Sequence, residues 1–197
     1  MRVVWLLLVL ALSGFWLVRS VQARPIPHGP GVLAPYAPAQ TNLSKPGTLQ
    51  FKGYTIEAVA RFEIQARVLS KQLYRYDVGA KLSPVDLALG WGRMSDSAVL
   101  KYFSISQSDR FYFWNAQESP IPYEEIVTSS ANMHMIPADD KLAKYLEGLK
   151  PGNIVYLKGY LVNVNGPDGF YWHTSLTRGD TGNGACELVW VESLSIK

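Results

Sequence analysis

The stretch YTIEAVARFEIQARVL, residues 54–69, decides the fold class. Apolar side chains from Tyr54 to Val68 alternate with mostly polar ones, and only Val59 and Leu69 interrupt the polar half. A period of two sustained over about fifteen residues indicates a long β-strand with one solvated face, because successive side chains of a strand point to opposite faces. A strand of this length usually bends across two layers of a barrel or sandwich.

Shorter elements follow this strand. Further strands are predicted at 110–115, 132–136, 154–164 (with Gly159 in the middle), 170–176 and 185–194. Short helices are predicted after the N-capping residues Ser83, Asp96 and Asp139 or Asp140. Most connections are too short for parallel crossovers. The sequence therefore predicts an α+β, β-rich fold: an antiparallel, partly open barrel with two or three short helices.

Two resemblances accompany this pattern. The string PGNIVYLKGYLV, residues 151–162, follows a predicted helix and resembles part of an OB-type barrel. The strings GWGRMSD (90–96), SANMHMIPA (130–138) and TRGDTGNGACE (177–187) resemble those of exported bacterial proteins without an assigned activity. The first resemblance implies an OB-like barrel in the C-terminal half. The second implies export from the bacterial cytoplasm and brings no catalytic residues with it.

Residues 1–23 are predicted to be a signal peptide or an N-terminal membrane anchor. Arg2 precedes an uncharged run from Val3 to Val18, and the small residues Val21 and Ala23 suit cleavage before Arg24. A retained single anchor is the alternative, although a sixteen-residue helix is only about 24 Å long against a bilayer core of about 30 Å. Either form places the rest of the chain outside the cytoplasm, in the periplasm or anchored at the inner membrane.

A linker and one folded unit are predicted after this leader. Residues 24–48 contain six prolines and three glycines and show almost no hydrophobic periodicity, which is typical of a solvated, semi-rigid spacer. Residues 49–197 are predicted to form a single β-rich globular domain.

Charge and cysteine content exclude several classes of protein. Without residues 1–23 the chain has 17 basic and 16 acidic residues and no cluster of four or more lysines or arginines. A nucleic-acid binder needs a positive face that neutralises phosphates, so nucleic acid is not predicted as a partner. The single cysteine, Cys186, rules out an intrachain disulfide framework and a cysteine-rich zinc site.

Three residues are weak catalytic candidates: His134, His173 and Cys186. A Cys186–His173 pair across a hairpin could form a nucleophile and its base. A metal site would need three protein ligands, for instance His134, His173 and Asp180. The competing interpretation is that Cys186 is a small buried apolar residue and that both histidines are bonded within the barrel. Neither an HExxH nor an HxH spacing is present, so no metal site and no cofactor are predicted.

Binding is the preferred hypothesis, because aromatic and arginine side chains are typical of interfaces and glycine-rich loops of binding sites. The predicted binding residues are Trp91, Arg93, Arg110, Trp114, Arg178, Asp180, Thr181 and Asn183. The last four belong to the glycine-rich loop 178–184. The expected function is a non-enzymatic extracytoplasmic module that binds a protein or another envelope component. The alternatives are a hydrolase or transferase that uses His134, His173, Asp180 or Cys186, and a membrane-anchored subunit of an envelope assembly.

Overall fold

The computed structural model describes residues 24–180, 182 and 184–197. The predicted leader at 1–23 lies outside the described residues, as do Thr181 and Asn183 of the glycine-rich loop. Within the described part of the chain, no helix has both the length and the apolar character needed to cross a membrane.

Strands dominate the described residues. The strands are β1 (Ala39–Phe51), β2 (Tyr54–Leu73), β3 (Val85–Gly90), β4 (Ser104–Ser108), β5 (Phe111–Asn115), β6 (Ser130–Pro137), β7 (Ile154–Asn165), β8 (Tyr171–Trp172) and β9 (Glu187–Ile196). The helices are α1 (Ser97–Leu100), α2 (Tyr123–Thr128) and α3 (Asp140–Gly148), with short 3-10 turns at Gly92–Ser95 and Pro167–Gly169. The predicted β-rich α+β class with short helices is confirmed.

Five of the strands close into a ring. The main sheet has the order β1-β2-β3-β6-β9-β7-β8. An additional pairing of β2 with β7 closes the strands β2, β3, β6, β9 and β7 into the ring and leaves β1 and β8 outside it. The β6–β9 pair is parallel, whereas the other pairs of this sheet are antiparallel. The prediction of a purely antiparallel arrangement is therefore wrong at this one pair. The long connection from β6 through α3, β7 and β8 allows the parallel crossover.

Two apolar clusters occupy opposite faces of the ring strands. The larger cluster takes buried side chains from all five ring strands and from α3, and it fills the ring. The smaller one includes Ile56, Val162 and Trp190. The β2 strand contributes to both because its pairing with β7 shifts register between Ala58 and Ala60, and a bulge there turns the side chains to the other face.

The segment after Ser83 is a strand and not the predicted helix. Val85, Leu87 and Leu89 alternate into the larger cluster, while β3 pairs with β2 on one side and β6 on the other. Ser83 and Pro84 resemble a helix start locally, but burial of three aliphatic side chains and two sets of ladder bonds outweigh that preference.

The predicted spacer at 24–48 is also corrected. Residues 39–51 form the edge strand β1 along β2, and the register shifts between Asn42 and Gly47, around Pro46. Proline is tolerated at an edge strand or bulge because no ladder bond is lost there. Further upstream, the amide of Ile26 donates to the carbonyl of Pro151 at 2.8 Å and the amide of Ala34 to Oγ of Ser95 at 3.0 Å.

Candidate functional site

A cleft lies between the β4–β5 hairpin, strand β6 and the described residues of the segment 171–187. It consists of two neighbouring cavities of about 440 Å³ and about 150 Å³, which share Phe111, Gly182 and Cys186 as lining residues. The larger cavity also touches Arg110, His134 and the β8 segment, whereas the smaller one also touches Tyr112, Asn132 and Glu187.

The tight turn of the hairpin directs Arg110 to the sheet. Asp109 and Arg110 form the two-residue connection between β4 and β5, and both have a positive φ, 50° and 69°. Such a pair is what a type I′ hairpin turn requires, although asparagine and glycine adopt it more readily. The amide of Arg110 donates to the hydroxyl of Tyr74 at 2.9 Å, and this bond holds the turn in place.

Arg110 is the centre of a partly buried ion-pair network. Its Nη1 donates to Oδ1 of Asp86 at 2.7 Å and to the carbonyl of Ser83 at 3.0 Å. Its Nε and Nη2 donate to the two carboxylate oxygens of Asp77 at 3.1 and 2.8 Å. The guanidinium stacks on the ring of Tyr74 at 3.7 Å. One cation thus bridges two carboxylates, and Asp86 is fully buried.

His134 completes this network from strand β6. Its Nδ1 lies 2.9 Å from Oδ2 of Asp86, the distance of an ion pair, although the two atoms lack the alignment of a directed hydrogen bond. The carboxylate favours a proton on Nδ1, which leaves the lone pair of a neutral ring on Nε2. The imidazole is buried against Trp172, with ring centroids 4.6 Å apart.

Amide and hydroxyl groups connect the hairpin to β6. Nε2 of Gln107 donates to Oδ1 of Asn132 at 2.6 Å, and Nδ2 of Asn132 donates to the carbonyl of Arg110 at 2.9 Å. The hydroxyl of Tyr112 donates to Oγ of Ser130 at 3.3 Å. Burial raises the pKa of Tyr112 to about 12. The hairpin is therefore attached to the sheet by buried polar groups.

A second ion pair lies at the smaller cavity. Nη1 of Arg178 donates to Oε1 of Glu187 at 2.5 Å, and Nη2 donates to the side chain of Gln40. Glu187 is buried and its Oε2 has no hydrogen-bond partner among the described residues. Burial raises the pKa of Glu187 to about 7, against the opposing effect of the Arg178 charge.

The thiol of Cys186 is held in its protonated form. Burial raises the pKa of Cys186 to about 12, and the neighbouring charge of Glu187 adds to the rise. Its Sγ lies 3.9 Å from the carbonyl of Arg110, the separation of a weak S–H donor bond. A thiol rather than a thiolate lines the cleft at neutral pH, and a thiol is a poor nucleophile.

The catalytic candidates share the larger cavity without forming a bonded group. His134, His173 and Cys186 all line it. Among the described residues, no hydrogen bond joins any two of them. His173 is exposed beside the ring of Tyr171, 5.4 Å away between centroids. Asp180 accepts a bond from Oγ of Ser175 at 2.6 Å. The described histidine, cysteine and acidic side chains include no group of three or more arranged to hold a metal ion.

The predicted binding residues do not form one surface. Trp91 is buried in the larger apolar cluster, so its prediction as a binding residue is corrected. Arg93 is exposed and forms an ion pair with Glu125 on α2. Trp114 lines the smaller cavity, as do Arg178 and Asp180, and Arg110 lines the larger one. For Thr181 and Asn183 the prediction lies outside the described residues.

Sequence reasoning missed several residues of the cleft. Asp86 is the most important of them, because it joins Arg110 to His134. The available signal was an acid within the otherwise apolar run VDLALG, residues 85–90, which a helical interpretation treated as a capping residue. Phe111, Tyr171 and Trp172 were recognised as strand residues and not as cleft residues.

Comparisons of the chain with known protein families, with curated proteins and with solved structures found no match.

Proposed function

We propose that this chain is an extracytoplasmic, non-enzymatic binding module of the bacterial envelope. Its ring is OB-like, and its partner, a protein or another envelope component, binds in the cleft beside β3, β6 and the described residues of the segment 171–187. Nucleic acid is not proposed as a partner, because the chain beyond residue 23 has 17 basic against 16 acidic residues.

The order of the ring strands supports the OB-like assignment. An OB-fold is a five-stranded, partly open barrel whose second and third strands, with the loops after the first and fourth strands, form the ligand face. Here the ring strands in chain order are β2, β3, β6, β7 and β9, and α3 lies between β6 and β7. The cleft lies on the third of these strands and is closed by the β7–β9 connection.

One observation carries the choice of binding over catalysis. Three polar side chains of the larger cavity are constrained by their surroundings: Arg110 lies between two carboxylates, His134 lies beside Asp86, and burial raises the pKa of Cys186 to about 12. A cysteine nucleophile needs a lowered pKa and a nearby base. A rigid cleft with aromatic walls and a few fixed polar groups fits ligand recognition better.

The location outside the cytoplasm rests on the composition of residues 1–23 and on the resemblance to exported proteins. Residues 1–23 are followed at once by a chain that is fastened to the folded body from Ile26 onward. Anchoring through that segment would hold the module at the outer surface of the inner membrane, and cleavage would release it into the periplasm.

Capture of partners by the full-length protein in its own envelope fraction tests the proposal. Tyr171 is 70% exposed at the rim of the cleft, and Tyr36 is 77% exposed but lines neither cavity. We expect Tyr171→Ala to weaken capture about tenfold or more, as the loss of an aromatic hot spot does. The matched control Tyr36→Ala should capture the partner like the wild type, and the mass of the recovered N-terminus shows whether the leader is retained.

Equal capture by the Tyr171→Ala and wild-type proteins would contradict the proposed binding face. A hydrolytic or transfer activity of the purified protein that disappears in Cys186→Ala or His173→Ala would replace the binding module with the enzyme hypothesis.

A further inference from the structure

We infer that the larger cavity binds a sugar ring, and that Nε2 of His134 accepts a hydrogen bond from one of its hydroxyls. The inference rests on the proposed binding function and specifies the chemistry of the envelope component as a neutral glycan.

The acceptor is a buried side chain with one free nitrogen. His134 is only 2% exposed and lines the larger cavity. Asp86 occupies the Nδ1 side of its ring at 2.9 Å, and no group of the described residues bonds to Nε2. Nδ1 is fully enclosed, whereas Nε2 is not among the enclosed atoms without a partner and is therefore open to the cavity. A ligand donor that reaches Nε2 would take the place of water there.

The charges around the cavity favour a neutral ligand. Arg110 is the cation of the cavity wall, and it already faces the carboxylates of Asp77 and Asp86. The network therefore has no surplus positive charge for a phosphate or carboxylate ligand. The thiol of Cys186 is uncharged at neutral pH, since its pKa is raised to about 12. A hydroxyl group both donates and accepts hydrogen bonds. It can therefore donate to the lone pair on Nε2 of His134 and accept from the weak S–H donor of Cys186.

The walls of the cavity suit a ring. Phe111 and Tyr171 lie on the lining, and Tyr171 extends to the solvent at the rim. Trp172 packs on His134 and on the guanidinium of Arg110, and a Cβ at Gly79 would lie 2.8 Å from its indole, so its position is fixed. A sugar ring presents an apolar face of C–H groups, while its hydroxyls point sideways. Aromatic rings attract such a face by dispersion. The volume of about 440 Å³ is within the usual range for small-ligand sites.

Two substitutions at His134 separate the role of each ring nitrogen. The amide nitrogen of an asparagine takes roughly the place of Nδ1, so His134→Asn keeps a donor toward Asp86 and removes the acceptor in the cavity. The longer His134→Gln places its amide near Nε2 and keeps a polar group in the cavity. Tyr171→Ala, at an exposed position, alters the wall without altering the buried network.

The experiment uses the purified protein, either as the full chain or as residues 24–197 after natural cleavage. It is titrated with two probes: a linear tetramer of β-1,4-linked N-acetylglucosamine and isolated peptidoglycan sacculi. We expect saturable binding of the tetramer, cosedimentation with sacculi, and a shift of the ¹⁵N resonance of His134 Nε2. His134→Asn and Tyr171→Ala should each weaken binding about tenfold or more, and His134→Gln should weaken it less. Thermal unfolding of each variant confirms that it is folded.

The outcomes separate this inference from the proposed function. No binding of either probe, together with Tyr171-dependent capture of a protein, overturns the glycan and leaves the binding module in place. No binding and no Tyr171-dependent capture overturn both. Binding of the tetramer that is equal in folded His134→Asn and Tyr171→Ala variants overturns the assignment to this cavity.

Discussion

Two arginine–carboxylate pairs lie at the same cleft, and the surroundings of the buried carboxylate differ between them. Asp86 accepts a hydrogen bond from Arg110 on Oδ1, and Nδ1 of His134 lies 2.9 Å from Oδ2 without the alignment of a directed hydrogen bond. Glu187 has Arg178 on Oε1 alone, and Oε2 has no partner among the described residues. Burial consequently raises the pKa of Glu187 to about 7. A single guanidinium does not by itself offset the loss of water around a buried carboxylate.

The difference assigns distinct roles to the two pairs. The Arg110 network attaches the hairpin to the sheet and fixes His134, so it maintains the shape of the larger cavity. The Arg178–Glu187 pair changes its charge near neutral pH, so it makes the stability of the β9 end of the ring depend on pH.

The largest effect is expected from Arg110→Met. It removes the cation that faces Asp77 and Asp86 and leaves a buried carboxylate with His134 alone, which typically costs about 3–5 kcal/mol. Urea unfolding of the purified protein, followed by far-UV circular dichroism, measures the change in the free energy of unfolding.

The double variant Arg110→Met/Asp86→Asn is the control for this prediction. It removes the uncompensated charge as well, so it should recover part of the lost stability. A loss below about 1 kcal/mol in the single variant, the value of an exposed pair, would show that the Arg110 network is not a buried one.

A pH-dependent effect is expected from Glu187→Gln. The carboxyl of Glu187 keeps its proton to a higher pH in the folded protein, about 7, than in the unfolded chain, about 4.5. Its contribution to stability is therefore complete below pH 4.5 and is lost as the pH rises through 7, a change on the order of 3 kcal/mol. The wild-type free energy of unfolding should fall between these pH values relative to that of Glu187→Gln.

Urea unfolding of both proteins at pH 4.5, 6 and 7.5 measures this difference. Glu192→Gln, at an exposed position of the same strand, is the matched control and should follow the wild type at each pH. Parallel pH profiles for the wild type and Glu187→Gln would mean that Glu187 ionises normally in the folded protein.

The smallest effect is expected from Arg93→Met. Arg93 forms a pair with Glu125, and their side chains are 47% and 28% exposed, so water screens the interaction. Exposed ion pairs contribute little to stability, because water and salt screen them and both side chains lose conformational freedom. The same urea titration should give a free energy of unfolding close to that of the wild type, and a loss as large as that of Arg110→Met would contradict the contrast between buried and exposed pairs.

The parts of the fold that the sequence predicts are those with strong local patterns. The alternation through β2 and β7 predicts both long strands, and Asp139 caps α3 as expected, accepting the amide of Leu142 at 2.7 Å. Edge strand β1 was missed because it includes Pro46 and has no apolar alternation. The parallel β6–β9 pair was missed because pairing partners depend on the whole chain.

The site was predictable only in its outline. His134, Arg110, Arg178 and Cys186 were selected from the sequence and lie on the cleft. Their partners were not predictable, because Asp86 meets Arg110 only when a hairpin 24 residues later folds over the sheet. Trp91 shows the converse error, since an aromatic residue near an arginine in the sequence can belong to a core as well as to an interface.

The close contact between Ile26 and Gly152 determines where the first described residues lie on the folded body. Gly152 has a φ of 94°, and a Cβ at this position would lie 2.2 Å from the carbonyl oxygen of Ile26. The chain is thus clamped at the turn between α3 and β7, two residues after Arg24. The first described residues, from Arg24, are therefore held within two residues of a fixed contact, which gives this end of the described chain a defined position relative to the cleft.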